Sequence, residues 1–266
     1  MSDIQVDRQN DTALITLNRP AKRNAITRDM YFTLQEELAA LETDPAIRVL
    51  VLTGAGDDFS AGYDLSQGPY ESGIRAYLKE VSNPVLWALW EGRIPSIARI
   101  RGYCLGGACE LALACDFVVA TEDSIIGEPE LRYGILPDFL IVPWLVPLRV
   151  ARELLLMGKR FRGDRAAEVG LINRAVPAAE LDSAVEQLAK RLRSMPAGAL
   201  QRAKLAINRV YEIQGIRQSV EMGEELSVIN NLDPDAETRQ FRQVARREGL
   251  RAALEWLESG RRDIDS

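Results

Sequence analysis

Residues 102–116, GYCLGGACELALACD, place one glutamate, Glu110, inside a run of small and apolar residues. Gly102, Gly106 and Gly107 mark a turn where a strand ends and a helix begins, and the strand DFVVA follows. A helix of this composition packs inside a domain, where a lone carboxylate is costly unless it is paired, hydrogen-bonded or protonated. The segment therefore predicts either a solvent-facing Glu110 or an unusual buried carboxyl group.

Strand-like and helix-like segments alternate along the chain before Pro177. Apolar patterns predict strands at IQVDRQ, ALITLN, VLVLTG and SIARIRG, and Thr27 is the predicted N-cap of a helix through RDMYFTLQEELAALETD. After Pro177 the pattern is helical almost throughout, without a low-complexity linker. We therefore predict an α/β body over residues 1–195 and a helical C-terminal region over residues 196–266 that packs against it. Residues 66–79 have few core signals and are predicted to form a mobile flap.

The absence of histidine restricts the chemistry more than any other feature of the composition. It excludes Ser-His-Asp and Cys-His catalysis and every His-ligated metal site, so acid–base work near neutral pH falls to carboxylates, Lys, Tyr or Cys. The spacings of Cys104, Cys109 and Cys115 match no zinc pattern. We therefore expect no metal, and we expect three reduced thiols that serve as small buried packing residues.

Charge and hydropathy constrain the partners and the location. The 266 residues carry a formal net charge of −6, which argues against non-specific binding to nucleic acid or to an anionic membrane. The polar N-terminal stretch MSDIQVDRQND has no apolar signal region, and the longest apolar stretch, at 139–148, is too short to span a bilayer. We therefore predict a cytoplasmic protein that binds neither nucleic acid nor a membrane.

Two stretches contain candidate site residues. The glycines at 106 and 107 would leave backbone N–H groups free to hold a developing negative charge, or would only allow close packing. The stretch SIIGEPELRYGILPD, 124–138, carries Glu128, Glu130 and Asp138. Such a charged cluster is usually a solvated loop, and we expect that environment for two of the three. Glu110 and Glu130 could still form a pair that accepts and donates a proton. The residues alone leave both interpretations open.

Taken together, these segments resemble the crotonase (enoyl-CoA hydratase/isomerase) superfamily. The similarity runs from LNRPAKRNAI through VLVLTGAGDDFSAGYDL, IRGYCLGGACELALACDFVVAT and GEPELRYGILP to ELLLMGKRFRGDRAAEVGLINRAVP and EGLRAALEWL. The resemblance implies an α/β fold, a spiral of repeated β-β-α units with a helical C-terminal trimerisation region, and a homotrimer or a hexamer of two trimers. It also implies an acyl-CoA substrate and no separate cofactor, because coenzyme A is part of the substrate.

The resemblance also implies roles for residues at matching positions. The thioester oxygen would lie in an oxyanion hole made by the backbone N–H groups of Tyr63 and Gly107. Glu110 and Glu130 would hold the water that adds to a trans-2-enoyl-CoA, so the expected activity is that of an enoyl-CoA hydratase, a hydro-lyase. The residues expected to contact coenzyme A are Lys22, Arg23, Ala25, Ala61, Asp64 and Leu65.

Two features depart from the family's pattern. After GILP the chain continues with DFLIVPWLVPL where most hydratases are glycine-rich, which leaves the acyl group open. Asp138 follows Glu130 by eight residues, where dienoyl-CoA isomerases place a catalytic aspartate, so Asp138 is a candidate third acid or base. The alternative function is an enoyl-CoA or dienoyl-CoA isomerase in which Glu130 and Asp138 shuttle protons. A non-catalytic member that binds RNA or acyl-CoA is a third alternative, which the acidic composition and the two glutamates disfavour.

Overall fold

Residues 2–9, 11–67 and 70–260 are described by the computed structural model of the chain, and they form strands, α-helices and short helical turns. The strands are β1 (Ile4–Gln9), β2 (Thr12–Leu17), β3 (Val49–Gly54), β4 (Ser96–Ile100), β5 (Tyr103–Leu105), β6 (Phe117–Thr121), β7 (Ile125–Gly127), β8 (Arg160–Arg162) and β9 (Arg174–Val176). The α-helices are α1 (Arg28–Thr43), α2 (Ile74–Tyr77), α3 (Asn83–Glu91), α4 (Gly107–Leu113), α5 (Val142–Leu145), α6 (Leu148–Leu156), α7 (Gly163–Glu168), α8 (Leu181–Ser194), α9 (Ala197–Ile213), α10 (Ile216–Leu232), α11 (Ala236–Glu248) and α12 (Leu250–Gly260). Single turns of 3-10 helix occur at Pro20–Lys22, Pro129–Tyr133 and Ala178–Glu180, and a π-helical turn spans Leu78–Ser82.

The larger sheet has six strands in the order β1-β2-β3-β4-β6-β9. β1 and β2 are antiparallel, and every later pairing in this sheet is parallel. Parallel strands need crossover connections that cover both faces of the sheet, so a central strand reads as a continuous apolar run. In β3, Leu50 and Leu52 belong to the main core, whereas Val49 and Val51 pack in a second cluster with Val185 of α8.

The smaller sheet, in the order β5-β7-β8, positions the segments that carry the candidate carboxyl groups. β5 and β7 are parallel, with Cys104 opposite Ile126. α4 starts soon after β5, and the 3-10 turn Pro129–Tyr133 starts soon after β7. Because parallel strands end at the same edge of a sheet, the two following segments leave it side by side. A hydrogen bond from the N–H of Gly106 to the carbonyl of Gly127, at 2.9 Å, holds them in this alignment.

Four helices, α9 to α12, build the C-terminal region. Lys204 of α9 anchors this region, because its buried ammonium group donates to two backbone carbonyls of the α/β body and to Asp116, at 2.7 Å. The helical character predicted for 196–266 is therefore present up to Gly260, and residues 261–266 lie outside the described residues. The division of the chain at residue 195 stays a prediction.

Two local predictions are confirmed, the helix cap at Thr27 and the three buried free thiols. Thr27 caps α1 through its side-chain oxygen, which accepts a hydrogen bond from the N–H of Met30 at 3.2 Å. The thiols of Cys104, Cys109 and Cys115 are free and buried. In the part of the chain that the structure describes, no helix is both long and apolar enough to cross a bilayer.

Residues 66–79 are predicted from the sequence to contribute few side chains to the core, and this prediction is wrong. Leu78 is fully buried, and the rings of Tyr70 and Tyr77 pack against the main core. These side chains belong to a loop followed by a short helix, so their burial follows no period of two or 3.6 residues and gives no local signal. Residues 68 and 69 lie outside the described residues.

Candidate active site

Glu110 lies in the first turn of α4 with 1% of its surface exposed, so it is a buried carboxyl group and does not face solvent. Its Oε1 accepts a hydrogen bond from the backbone N–H of Phe139 at 2.8 Å, whereas its Oε2 is buried and has no partner among the described residues. Burial raises the pKa of Glu110 well above its usual value, and the nearby carboxyl groups of Asp138 and Glu130 raise it further. The proton of Glu110 is therefore held more tightly than that of an exposed glutamate.

Gly106 brings Glu130 against the start of α4. Its φ of 58° lies in the region that favours glycine, and a Cβ at this position would collide with Oε1 of Glu130. The carboxyl group of Glu130 therefore packs against the turn that precedes Glu110. Its Oε2 is buried and without a partner in the described structure, and burial raises the pKa of Glu130 to about 8, with Asp138 adding to the increase. The structure thus brings the two glutamates together.

The backbone N–H groups of Tyr63 and Gly107 are the predicted oxyanion donors, and both are available. The N–H of Ile26 donates to the carbonyl of Gly62 at 2.8 Å, and the N–H of Asp64 donates to the carbonyl of Ile26 at 2.9 Å. These two bonds flank Tyr63 and leave its own N–H unpaired with any described backbone carbonyl. Gly107 is the first residue of α4, where an N–H has no intrahelical acceptor.

The segments that carry the two donors lie close together, since a Cβ at Gly62 would stand 3.7 Å from Cα of Gly106, and a Cβ at Gly107 would stand 2.5 Å from Cε2 of the Tyr63 ring. Only glycine accepts this approach of an aromatic ring to the backbone. The dipole of a helix as short as α4 is small, but its first N–H groups still point toward any oxygen placed there. The arrangement can stabilise negative charge on a carbonyl oxygen next to two carboxyl groups.

Asp138 lies at the third corner of the carboxyl cluster, with 8% of its surface exposed. Its Oδ1 accepts a hydrogen bond from Oγ of Ser227 at 2.6 Å. Burial raises the pKa of Asp138 to about 6; the Ser227 hydroxyl lowers it and Glu224 raises it. Asp138 is therefore a carboxyl group that changes its charge close to neutral pH.

A cavity of about 280 Å³ leads to this cluster. Its lining includes the rings of Tyr63, Tyr70 and Tyr77 and the carboxyl-bearing Asp138. The cavity meets the carboxyl cluster at Asp138, which lies close enough to Glu110 to raise its pKa, whereas Glu110 and Glu130 are not among the residues that line it. Aromatic rings beside a few polar groups are typical of a small-molecule site.

The predicted coenzyme A contacts lie on two segments that run side by side. The N–H of Ala61 donates to the carbonyl of Arg23 at 2.9 Å, and Arg19 bridges the segments by donating to the carbonyl of Ala25 at 2.6 Å and to Oδ2 of Asp64 at 2.9 Å. Burial raises the pKa of Asp64, but Ser66 and Arg19 outweigh it and the net pKa is lowered. The Asp64 side chain is thus already engaged within the protein.

Three of these predicted contact residues, Lys22, Ala61 and Leu65, are exposed. Arg23 is exposed as well, and its guanidinium lies 5.0 Å from the centre of the Tyr103 ring. The side chains of Lys22 and Arg23 therefore remain accessible to an anionic ligand, and the segments present backbone groups beside them.

The prediction of a solvated loop for two of the three carboxyl groups in 124–138 is wrong. Glu128 is 1% exposed and Asp138 is 8% exposed, while Glu130 is only partly exposed. β7 is the middle strand of the smaller sheet, so the segment that follows it enters the interior and not a surface loop. This pairing is long-range and leaves no mark on the local pattern.

Two further elements of the site escaped the sequence analysis. Tyr31 of α1 is fully buried and stacks on Tyr63, with ring centroids 5.6 Å apart. α10 contributes Ser227 and the buried Glu224, whose Oε2 accepts a hydrogen bond from Nδ2 of Asn83 at 2.8 Å. In the sequence, the contribution of α10 could have been inferred only from polar residues at positions of the helix that face the core. Within the described residues, no group of three or more Cys, Asp or Glu side chains is arranged to hold a metal ion.

Comparisons with known proteins agree with this geometry. A family model described as "Enoyl-CoA hydratase/isomerase" matches residues 7–240. The chain is 38% identical over 218 residues to the 2,3-dehydroadipyl-CoA hydratase of Escherichia coli (strain K12), which covers 80% of this chain and 84% of the relative. It is 30% identical over 258 residues to the crotonyl-CoA hydratase of Syntrophomonas wolfei, covering 95% of each.

Solved structures give the same result for the fold. A crystal structure of an enoyl-CoA hydratase/isomerase from Xanthobacter autotrophicus Py2 matches with a TM-score of 0.93 and 35% identity, covering 98% of this chain and 99% of that chain. An enoyl-CoA hydratase from Mycobacterium smegmatis matches with a TM-score of 0.85 and 28% identity, covering 98% and 94%. The predicted mixed α/β fold with a helical C-terminal region is confirmed by these matches.

Proposed function

The chain belongs to the enoyl-CoA hydratase/isomerase family, the crotonase superfamily, and from this premise we propose that it adds water across the 2,3 double bond of a trans-2-enoyl-CoA thioester. The observation that carries the proposal is the Glu110–Glu130 pair, in which each Oε2 is buried, beside two backbone N–H groups without an acceptor among the described residues. Relatives named as hydratases at 30% and 38% identity support the same reaction class.

Hydration requires three functions that these groups supply. Negative charge builds on the thioester oxygen as the enolate forms, and the N–H groups of Tyr63 and Gly107 stabilise it more strongly in the transition state than in the substrate. One glutamate of the Glu110–Glu130 pair, as a carboxylate, takes a proton from the attacking water. The α-carbon receives a proton from the pair, so one O–H bond of water and the carbon–carbon π bond break while C–O and C–H bonds form.

The electrostatics of the pair support this sequence of proton transfers. Burial raises the pKa of Glu130 to about 8 and that of Glu110 well above its usual value. Two such neighbours resist double ionisation, so the pair retains a proton near neutral pH and still offers one carboxylate. That state contains the acid and the base that the reaction needs.

Coenzyme A is expected to bind along the paired segments of the site. The backbone groups of Ala25, Ala61 and Leu65 face this ligand in our proposal, and the exposed cations Lys22 and Arg23 contact its phosphates. A charged phosphate beside two accessible cations gains charge-assisted hydrogen bonds. No separate cofactor is needed, since every proton and charge in the reaction is handled by this chain and by water.

Isomerisation of a double bond is the second candidate, and the position of Asp138 favours it. Asp138 lines the cavity, its pKa is raised to about 6, and it acts on the pKa of Glu130. Glu130 and Asp138 would then move a proton along an enoyl or dienoyl chain. The two reactions differ in one respect, because isomerisation takes up no water.

Assembly into a trimer, or into a hexamer of two trimers, forms part of the proposal. On α10, Met222, Leu226 and Ile229 expose large apolar side chains at a spacing that gathers them on one helical face. Leu205 and Ile213 of α9 are exposed as well. Apolar surface of this extent is typical of a contact with another chain. We expect a solution mass of three or six chains, and a cytoplasmic location stays a prediction.

The test is incubation with crotonyl-CoA in oxygen-18 water, followed by mass spectrometry of the product. A labelled 3-hydroxyacyl-CoA that the Glu110→Gln variant does not form is the expected result. A product of unchanged mass with a shifted double bond, obtained from a longer enoyl-CoA or a dienoyl-CoA, would replace hydration with isomerisation. If neither crotonyl-CoA nor longer and bulkier enoyl-CoAs react in any way, the proposed function is wrong.

A further inference from the structure

Glu128 is a third buried glutamate that the proposed reaction does not use. It follows β7 directly, so by strand alternation its side chain is on the face of Ile126, which belongs to the main core. The residue is 1% exposed, and both of its carboxyl oxygens are buried without a hydrogen-bond partner in the described part of the chain. A carboxyl group with two orphaned oxygens in a native core calls for a physical explanation.

The groups that act most strongly on the pKa of Glu128 come from several elements around it. Glu110 lies on α4, Glu130 on the 3-10 turn Pro129–Tyr133, Cys104 on β5 and Asp138 in the loop before α5, and each of them raises the pKa of Glu128 in addition to its burial. Cys109 of α4 also faces it, since Glu128 raises the pKa of that thiol. All of these groups are carboxyl groups or thiols, and none of the largest influences on the pKa of Glu128 is a cation.

This environment determines the protonation state. An ionised Glu128 would be a buried charge without hydrogen bonds and beside other carboxyl groups, which is the least favourable arrangement for a carboxylate. A protonated Glu128 has one O–H to donate. The acceptors that gain most from such a donor are the oxygens of Glu110 and Glu130 that have no partner, Oε2 in each case.

We propose that Glu128 is a permanently neutral hydrogen-bond donor that positions the Glu110–Glu130 pair and stabilises whichever of the two is ionised. This role rests on the proposed hydration. In this role Glu128 acts on the reaction only through the Glu110–Glu130 pair and contacts neither the substrate nor the attacking water, so it is a positioning residue. Its own proton is not transferred during turnover: the proton from water passes only through the pair.

Two variants of Glu128 separate this role from simple packing. Glu128→Gln keeps a neutral donor of nearly the same shape, whereas Glu128→Met keeps the size and removes the donor. A hydrogen bond to a charged group is strong enough that its loss changes a rate by about 10- to 100-fold. We expect Glu128→Gln to stay within about threefold of the wild-type kcat, and Glu128→Met to lose about 10- to 100-fold. Ile126→Met, a substitution of similar volume on the same strand face, is the control for disturbed packing.

The pH dependence of kcat/KM distinguishes the two roles, because a change in packing alone does not change the pKa values that it reports. Without the donor, the carboxylate of the pair is less stable and its pKa rises. The fall of kcat/KM on the acidic side of the profile should therefore occur at higher pH in Glu128→Met only. An unfolding free energy equal to or above that of the wild type should accompany the loss of rate, because a buried polar group has been removed. A Glu128→Met variant with wild-type rate and an unmoved limb would reduce Glu128 to a space filler. A folded Glu128→Gln variant as slow as Glu128→Met would show that ionisation of Glu128 itself is needed.

Infrared difference spectroscopy tests the neutral state without any substrate. The wild-type spectrum at neutral pH minus that of Glu128→Gln should contain the carbonyl stretch of a protonated carboxyl group, and this band should shift in heavy water. Its presence in an enzyme that fails to hydrate any enoyl-CoA would overturn the proposed function and leave the neutral donor standing. Its absence, with hydration intact, would overturn the role of Glu128 alone.

Discussion

Replacing Gly106 with alanine should inactivate the enzyme by moving a side chain that is distant in sequence. Gly106 has a φ of 58° and a ψ of −135°, and a Cβ built on it collides with Oε1 of Glu130. The clash falls on the end of a side chain, so the carboxyl group of Glu130 can give way while the backbone stays in place. The substitution therefore displaces one member of the proposed pair by a distance of the order of a bond length.

The structure sets two separate magnitudes for Gly106→Ala. Holding an alanine at this φ and ψ, which lie outside the left-handed helical region, costs about 1–3 kcal/mol of unfolding free energy. Displacing a reacting group by about 1 Å costs about 10²-fold in kcat, because proton transfer depends on a close approach to the water. The loss of activity should therefore be far larger than the loss of stability would explain.

Gly170→Ala is the matched control for this experiment. Gly170 also has a positive φ, of 80°, but a Cβ there meets nothing within 4 Å. Urea denaturation and steady-state hydration of crotonyl-CoA are measured for both variants. We expect both to be destabilised and only Gly106→Ala to lose activity. A folded Gly106→Ala variant with wild-type kcat would show that activity does not require the carboxyl group of Glu130 to be packed against Gly106.

Three further predictions follow from the buried charges. Glu110→Gln and Glu130→Gln should each lower kcat by about 10²–10⁴-fold, as expected for loss of a general acid or base, with little change in urea midpoint. The free energy of unfolding should decrease between pH 5 and pH 8, because folded Asp138 and Glu130, with pKa values of about 6 and about 8, keep protons that the unfolded chain releases. The decrease should reach up to about 1.4 kcal/mol per pH unit for each proton. An unfolding free energy that stays constant or rises over this range in urea titrations would contradict the prediction. Lys204→Met should cost about 3 kcal/mol of unfolding free energy, since it leaves Asp116 without its partner at 2.7 Å, and a change below about 1 kcal/mol would contradict this.

The sequence predicts the local parts of this molecule well. Thr27 has the chemistry of an N-cap, and VLVLTG has the continuous apolar pattern of a strand buried on both faces. The run around Glu110 reduces the prediction to two alternatives, a solvent-facing glutamate or a buried carboxyl group, and the structure shows the second. These predictions succeed because each depends on residues within one or two turns of each other.

The long-range parts of the site could not be predicted in the same way. The local sequence predicts a loop position for Glu128, and its burial becomes evident only from the pairing of β7 with both β5 and β8. Ser227 reaches Asp138 across 89 residues of sequence, and Tyr31 meets Tyr63 only after α1 has packed against the core. Such contacts depend on the order of strands and on helix docking, which the residue pattern of any one segment does not contain.

Among the described residues, no cation is one of the largest influences on the pKa of Glu110, Glu130 or Asp138, and this suits the proposed reaction. A lysine or arginine next to Glu110 would favour its charged form and lower its pKa, so the pair would lose its proton well below neutral pH. In the described structure, the groups that lower the pKa of Glu110 are backbone N–H groups of Phe139 and Asp138, which are weaker than a full charge. Neutral donors of this kind hold one negative charge in place and still leave one proton on the pair. A histidine-free chain can therefore perform acid–base chemistry near neutral pH, provided that its carboxyl groups are buried together and held by neutral donors.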